Sequence, residues 1–252
     1  MLASLAFIRS YCKNVTFNHQ LVILNTSPTY QVLRFGHEQE PIVVVDNFST
    51  NPEELVTIAS RSAFNKNNSY YPGIRASAPA NYLAQNNSLL EDIIRNIFHI
   101  ESGVRLLDCN YSLVTTLPDR LTDFQCFPHF DGLEKGRLAV LHYLCGGESG
   151  GTAFYRHKNT GFETMDQSRH KEYTSARYRE FEQSGPPTKA YATGSTDHFE
   201  QIGRIDAKFN RLIIYRGQTL HSGHISENFT FSNDPEIGRL TINTFFMDKA
   251  EY

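Results

Sequence analysis

From residue 103 onwards the chain is cut by Gly and Pro into short apolar segments, and this spacing constrains its fold more than any other feature. Segments 104–115, 124–130, 138–144, 151–156, 211–216 and 239–247 alternate in polarity and are rich in β-branched and aromatic residues. Many short strands joined by Gly-rich turns predict a sandwich or barrel. The aromatic content agrees. Phe (18) and Tyr (13) are abundant while Trp is absent, and Phe and Tyr favour half-buried strand surfaces.

The first hundred residues read differently. Residues 21–34 predict two short strands broken at Asn25-Thr26-Ser27-Pro28, and 41–48 (PIVVVDNF) predict a buried strand. Ser49-Thr-Asn-Pro-Glu-Glu is a helix start, with the helix continuing through LVTIASRSAF. A second helix is predicted over 88–99, opened by Ser88 with Glu91 three residues on as a capping box. Residues 157–205 interrupt the strand series with a polar, helix-forming stretch and a Gly-Pro-Pro turn. They read as an insertion of the kind that serves as a lid or binding surface. The expected architecture is mainly β with flanking helices (α+β), in one domain over 1–252. Within it, 1–103 support a core at 104–252.

A formal net charge of −3, with no basic tail and no run of Lys or Arg, speaks against nucleic acid or an anionic membrane as partner. The four Cys (12, 109, 126, 145) are far apart and form no CxxC pair. They predict neither a zinc ribbon nor a disulfide framework, but reduced thiols in a cytoplasmic protein. The apolar LASLAFI near the N-terminus has its Arg9 after the apolar part, the reverse of a signal peptide. No run approaches the ~20 apolar residues that span a bilayer.

One segment carries chemistry. In Pro128-His129-Phe130-Asp131-Gly132, residues i and i+2 of a strand face the same side, so His129 and Asp131 present an imidazole and a carboxylate together. Taken alone, H-x-D also describes a surface or capping pair. A third metal ligand would come from Tyr215-Arg-Gly-Gln-Thr-Leu-His221-Ser-Gly, just past a predicted strand, with His224 as its competitor. Two His and one carboxylate on one side of a metal suit non-haem Fe(II), with the opposite positions open. His142 lies in an apolar strand and reads as a core residue. His99, His157, His170 and His198 have no convergent partners and read as surface residues.

The order HFDG, RLAVLHYLCGGESGGTAFY, FNRLIIYRGQTLHSGH and GRLTINTFF resembles the Fe(II)/2-oxoglutarate-dependent oxygenases of the prolyl-hydroxylase-like type. PIVVVDNFSTNPEEL is similar to the lead-in strand and helix of that family. The resemblance implies a double-stranded β-helix, or jelly roll, whose metal ligands are His129, Asp131 and His221. It implies Fe(II), 2-oxoglutarate and O2 as cofactor and cosubstrates, with hydroxylation of a C–H bond and release of succinate and CO2. Arg239 matches the basic residue that binds the far carboxylate of 2-oxoglutarate, a task suited to a planar guanidinium. Thr241 and Asn243 follow on the same strand face as Arg239 and are placed to serve the cosubstrate. Tyr111 matches a family Tyr that hydrogen-bonds 2-oxoglutarate, while Tyr143 reads as core. The residues ENFTFSNDPEI between His221 and Arg239 read as a hairpin loop. Arg75, in Tyr70-Tyr-Pro-Gly-Ile-Arg75, is a candidate for holding a substrate carboxylate. The expected substrate is an amino acid, a peptide or protein side chain, or a small metabolite, and a homodimer is compatible with the chain. The rival expectations are a cupin-like metal protein, a zinc hydrolase and a non-catalytic jelly-roll binding module.

Overall fold

The computed structural model describes residues 28–66 and 70–251. Ten strands among these residues form two antiparallel sheets. The larger runs β1 (Thr29–Arg34), β2 (Pro41–Asp46), β8 (Arg211–Arg216), β5 (Arg137–Tyr143), β10 (Leu240–Asp248), β4 (Val104–Val114), β3 (Gly73–Ser77). The smaller runs β7 (Phe199–Asp206), β6 (Gly151–His157), β9 (His221–His224). The helices are α1 (Pro52–Ser60), α2 (Asn87–Asn96) and α3 (Gln167–Ser184).

The large sheet is buried on both faces, and this explains its texture. Strand β2 reads as an unbroken apolar run because Val43 and Val45 pack with the helices while Ile42 and Val44 face the other sheet. On the helix side, Leu55 and Ala59 of α1, Ile93 and Ile94 of α2 and Phe98 cover Tyr111, Leu113, Leu138, Val140, Leu212, Ile214, Leu240 and Ile242. Each fully buried Phe or Ile there contributes roughly 1.5–3 kcal/mol. On the inner side, Ala139, Leu141, Tyr143, Ile213 and Tyr215 meet Phe154 and Ile205 of the small sheet. Strand β10 lies between β5 and β4, in continuous register with β5 and with a bulge against β4 between Phe245 and Phe246, and Thr241 stands opposite both Tyr143 and Ser112.

Several expectations need correction. Residues 124–130 are not a strand. Asp123–Cys126 form a 3-10 turn and only His129 pairs, in an isolated bridge. Helix α2 begins at Asn87, directly after a 3-10 stretch over Ala80–Asn86, so Ser88 lies inside the helix and caps nothing. Helix α1 ends at Ser60, where the Ser60 and Ser62 hydroxyls donate to the Thr57 and Ile58 carbonyls and close off the last turn. Residues 157–205 are not wholly an insertion. His157 still belongs to β6, and β7 is a sheet strand paired along its length with β6. The stretch before Arg239 is no hairpin loop, since β9 and β10 lie in different sheets and the chain crosses between them. The predicted strand before Asn25, and Cys12, lie outside the described residues.

The Gly150-Gly151-Thr152 turn leads into β6. Gly150 has φ +91°, and a Cβ there would sit 1.8 Å from the His224 carbonyl oxygen. Any other residue would push β6 from β9, which carries a site histidine. The described cysteines 109, 126 and 145 are free. No helix among the described residues is long and apolar enough to cross a membrane.

Candidate metal centre

His129 and His221 face each other through backbone pairing. The N–H of each donates to the carbonyl of the other at 2.8 Å. The Asp131 N–H then donates to Gly217 O at 2.7 Å. Two extended residues pinned this way keep the i, i+2 relation of a strand without a strand on either side. His129 and Asp131 therefore share a side, as their spacing predicts, and His221 is delivered opposite them. One atom from each of the three comes within 4.8 Å of the others, and no fourth His, Cys, Asp or Glu of the described residues joins them.

The ring orientations suit a cation. His221 Nδ1 lies 2.8 Å from the Thr219 carbonyl oxygen. A carbonyl only accepts, so Nδ1 carries the proton and the Nε2 lone pair is free. His221 Nε2 lies 3.5 Å from Asp131 Oδ2, and His129 Nε2 lies 3.8 Å from Asp131 Oδ1. These separations are too long for hydrogen bonds but right for groups sharing one ion. Burial, the neighbouring His221 and Arg75 push the His129 imidazole down to about 4 against the pull of Asp131. It is neutral near pH 7, the form that ligates metal. The His129 side chain keeps 54% of its surface accessible, so a ligand can reach it from outside. Asp131 Oδ2 is buried without a hydrogen-bond donor. A bare carboxylate oxygen beside two free imidazole nitrogens is what a bound cation would complete.

Arg239 is 3% exposed, and its Nη2 donates to Gly151 O at 2.8 Å. Its Nε is buried with no partner, and no acid among the described residues pairs with it. The guanidinium lies 5.6 Å from the Tyr143 ring centroid, and Tyr143 Oη is 2.6 Å from Thr152 Oγ1. Burial raises the Tyr215 hydroxyl well above its ordinary value, and Tyr215 feels both Asp131 and Arg239. Its ring sits against His221 at 4.8 Å. Tyr215 thus packs on one of the three ligands and feels the charge of the buried arginine. Thr241 is fully buried on this inner face, and its hydroxyl donates to Asn243 Oδ1 at 2.7 Å.

Not every candidate converges. Tyr111 points away. Its register partner in β10 is Ile242, and its ring packs in the helix-side cluster with Phe64 at 6.5 Å. The inner face at this level of β4 belongs to Ser112, one residue on. His224, three residues after His221 in β9, is not in the metal-competent group; its Nε2 meets Arg204 at 3.2 Å. His142 is a core residue, stacked on Tyr82 at 5.6 Å and bonded to Asn210. His157 is not on the surface but fully buried against Glu180. Arg75 is on the inner face, opposite Ser112.

Sequence reasoning did not single out Tyr71, Ser112 or Tyr215. The alternation Tyr111-Ser112-Leu113 beside Leu240-Thr241-Ile242 held the signal for Ser112, since the polar member of each triplet marks the inner face. Tyr71 is brought in by a loop, and no periodicity announces it.

The model of one protein family, a family of unknown function designated DUF6445, matches residues 26–246. The chain belongs to that family. Among curated proteins, none matches. Among solved structures, this member of the DUF6445 family is similar to HygX from Streptomyces hygroscopicus with nickel, 2-oxoglutarate and hygromycin B bound. The identity is 14%, the TM-score 0.48, and 84% of each chain is covered. It is also similar to the non-heme alpha-ketoglutarate-dependent epimerase SnoN from nogalamycin biosynthesis, at 12% identity and a TM-score of 0.46, covering 84% of this chain and 79% of that one.

Proposed function

We propose that this chain is an Fe(II)- and 2-oxoglutarate-dependent dioxygenase that hydroxylates a C–H bond, built on a jelly-roll core. The observation that carries this reading is the pairing of two incomplete groups on one inner face. Asp131 Oδ2, between two histidines, lacks a donor, and the buried guanidinium of Arg239 lacks an acid. An ion explains the first and an anionic cosubstrate the second, and the two are linked through Tyr215.

His129, Asp131 and His221 would hold the metal, leaving its remaining positions for cosubstrate and O2. Arg239 would hold the far carboxylate, with Thr241 and Asn243 on the same strand face. When bound, iron and 2-oxoglutarate supply an oxidant for C–H bonds, with succinate and CO2 as co-products. The chain's own share is placement. Thr219 O fixes the His221 tautomer, and Gly217 O fixes the Asp131 backbone. Tyr143, Tyr215 and Phe154 wall the site with apolar rings and limit water around it.

Anaerobic titration of the chain with Fe(II) and then 2-oxoglutarate tests the reading through the weak visible charge-transfer band of the chelate. The band is expected in the wild type, absent in His129→Ala and weakened in Arg239→Ala. A wild-type protein that binds Fe(II) but shows no band would leave a metal site without the cosubstrate and end the proposal.

A further inference from the structure

The inner face holds a second arginine with nothing to bind. Arg75, on β3, pairs in register with Ser112 of β4, and Ser112 pairs with Thr241 of β10. Its guanidinium lies over the Tyr71 ring, 4.5 Å from the centroid. No acid and no hydrogen-bond acceptor among the described residues meets its side chain, and its Nε is buried. Two more polar atoms beside it are buried without a hydrogen bond of good geometry, Ser112 Oγ and the Tyr71 hydroxyl, whose neighbour is the Thr241 hydroxyl. A half-buried cation with neither counter-ion nor acceptor is costly to fold around. Three such atoms in one patch therefore point to a missing ligand rather than to packing.

The patch is distinct from that of Arg239. Both arginines act on the Tyr71 hydroxyl, so Tyr71 stands between them. Arg75 also acts on His129, whereas Arg239 acts on Tyr143, Cys145 and Tyr215. Arg75 stands on β3 opposite Ser112 of β4, whereas Arg239 bonds the Gly151 carbonyl of β6 and lies against the Tyr143 ring of β5, so the two guanidinium groups have different surroundings. The segment before Arg75 continues outward into exposed aromatic surface. Tyr70 is 84% and Phe124 78% exposed, and their rings meet edge to face at 6.5 Å.

We infer that Arg75, with Ser112 and Tyr71, is the substrate's anion site, and that the substrate is a monocarboxylic acid whose apolar body rests against Tyr70 and Phe124. The inference deepens the oxygenase reading and rests on it. One guanidinium with two neutral hydroxyls matches the single charge and two oxygens of a carboxylate. A phosphate dianion would call for a further cation, and among the described residues no lysine or third arginine bonds to Arg75, Ser112 or Tyr71.

Ligand-observed NMR on the full chain tests this, with Zn(II) as a diamagnetic metal and 2-oxoglutarate saturating so that Arg239 is occupied. The probes are a pool of aliphatic and aromatic monocarboxylic acids and the matching pool of primary amides. Wild type should bind acids and not amides. Arg75→Gln should weaken acid binding by about ten-fold or more, and Arg75→Lys should keep part of it, showing that charge and not folding was lost. Amides bound as well as acids, acids bound equally by Arg75→Gln, or no acid bound by wild type would each overturn the inference. The signal of 2-oxoglutarate itself reports separately on the reading beneath. If it fails to bind wild type, the oxygenase assignment falls, whatever the acid pool does.

Discussion

Two groups of histidine and carboxylate lie inside this molecule, and they differ in how well they are satisfied. His157 and Glu180 are 0% and 4% exposed at the side chain and meet at 2.8 Å. His157 Nδ1 lies 2.8 Å from Thr160 Oγ1, and Glu180 also takes hydrogen bonds from Asn159 and Arg177. Nothing is left over, and the group fastens α3 to β6. Asp131 lies 3.5 Å from His221 and 3.8 Å from His129, with a carboxylate oxygen that no hydrogen-bond donor reaches. Residue type does not separate the two groups. Hydrogen-bond accounting does, because a structural pair closes on itself while a ligand site is left short by the size of its ligand.

Breaking each group should therefore cost different things. Asp131→Ala is expected to reduce Fe(II) or Zn(II) affinity by about 100-fold or more, since a metal ligand outweighs the outer-shell contacts whose loss costs 10–100-fold. Its urea-unfolding midpoint without metal should barely move. Glu180→Gln is expected to lower stability by about 3 kcal/mol, because Arg177 then lies beside a neutral amide in a closed interior, and to leave metal affinity unchanged. Isothermal titration and urea denaturation on both variants measure the four quantities. Metal affinity that tracks Glu180 instead of Asp131 would reverse the comparison.

Next in size is Arg239. Its one hydrogen bond goes to a backbone carbonyl and its Nε is unused, so it belongs with the unsatisfied class. Arg239→Ala should raise the dissociation constant for 2-oxoglutarate by about 10- to 100-fold, the usual worth of hydrogen bonds to a charged group. Metal affinity measured without cosubstrate should stay as in wild type. A matching loss of metal affinity would mean that Arg239 only supports the protein around the centre.

The sequence carried the strands of the large sheet well because they are long, regular and apolar on at least one face. Strand β10 was read to within a residue at each end, and β8 at both. It carried H-x-D because that spacing is local, whereas His221 was marked only by its place just past a predicted strand, with His224 as its competitor. It did not carry β7, whose segment Phe199–Asp206 is mostly half-exposed and is held by pairing with β6 rather than by its own alternation. Nor did it reveal that residues 124–130 lack a strand. The extended backbone at His129 is imposed by β9 across the gap, a long-range contact that no local pattern encodes. His157 looks like a surface residue in the sequence for the same reason, since its partner Glu180 lies on a helix 23 residues away. In each failure a tertiary partner overrides local preference.

The smallest effect tests the finest of these distinctions, which side of β4 does the chemistry. Tyr111 and Ser112 are both fully buried, and both hydroxyls lack partners. Only their faces differ. Tyr111 lies with Leu113 and Ile242 beneath the helices, where burial pushes its hydroxyl far above the ordinary range. A buried hydroxyl without a partner contributes nothing by hydrogen bonding, so removing it should be neutral or slightly stabilising. Tyr111→Phe should therefore leave 2-oxoglutarate affinity within about two-fold of wild type and raise or hold the melting temperature. Ser112→Ala, one residue along, removes a hydroxyl from the inner face beside Arg75 and Thr241. It should weaken binding of a carboxylate at that face more than Tyr111→Phe does. If Tyr111→Phe instead costs 2-oxoglutarate affinity, the cosubstrate reaches the helix side of the sheet. The division of the two faces into packing and chemistry would then be wrong.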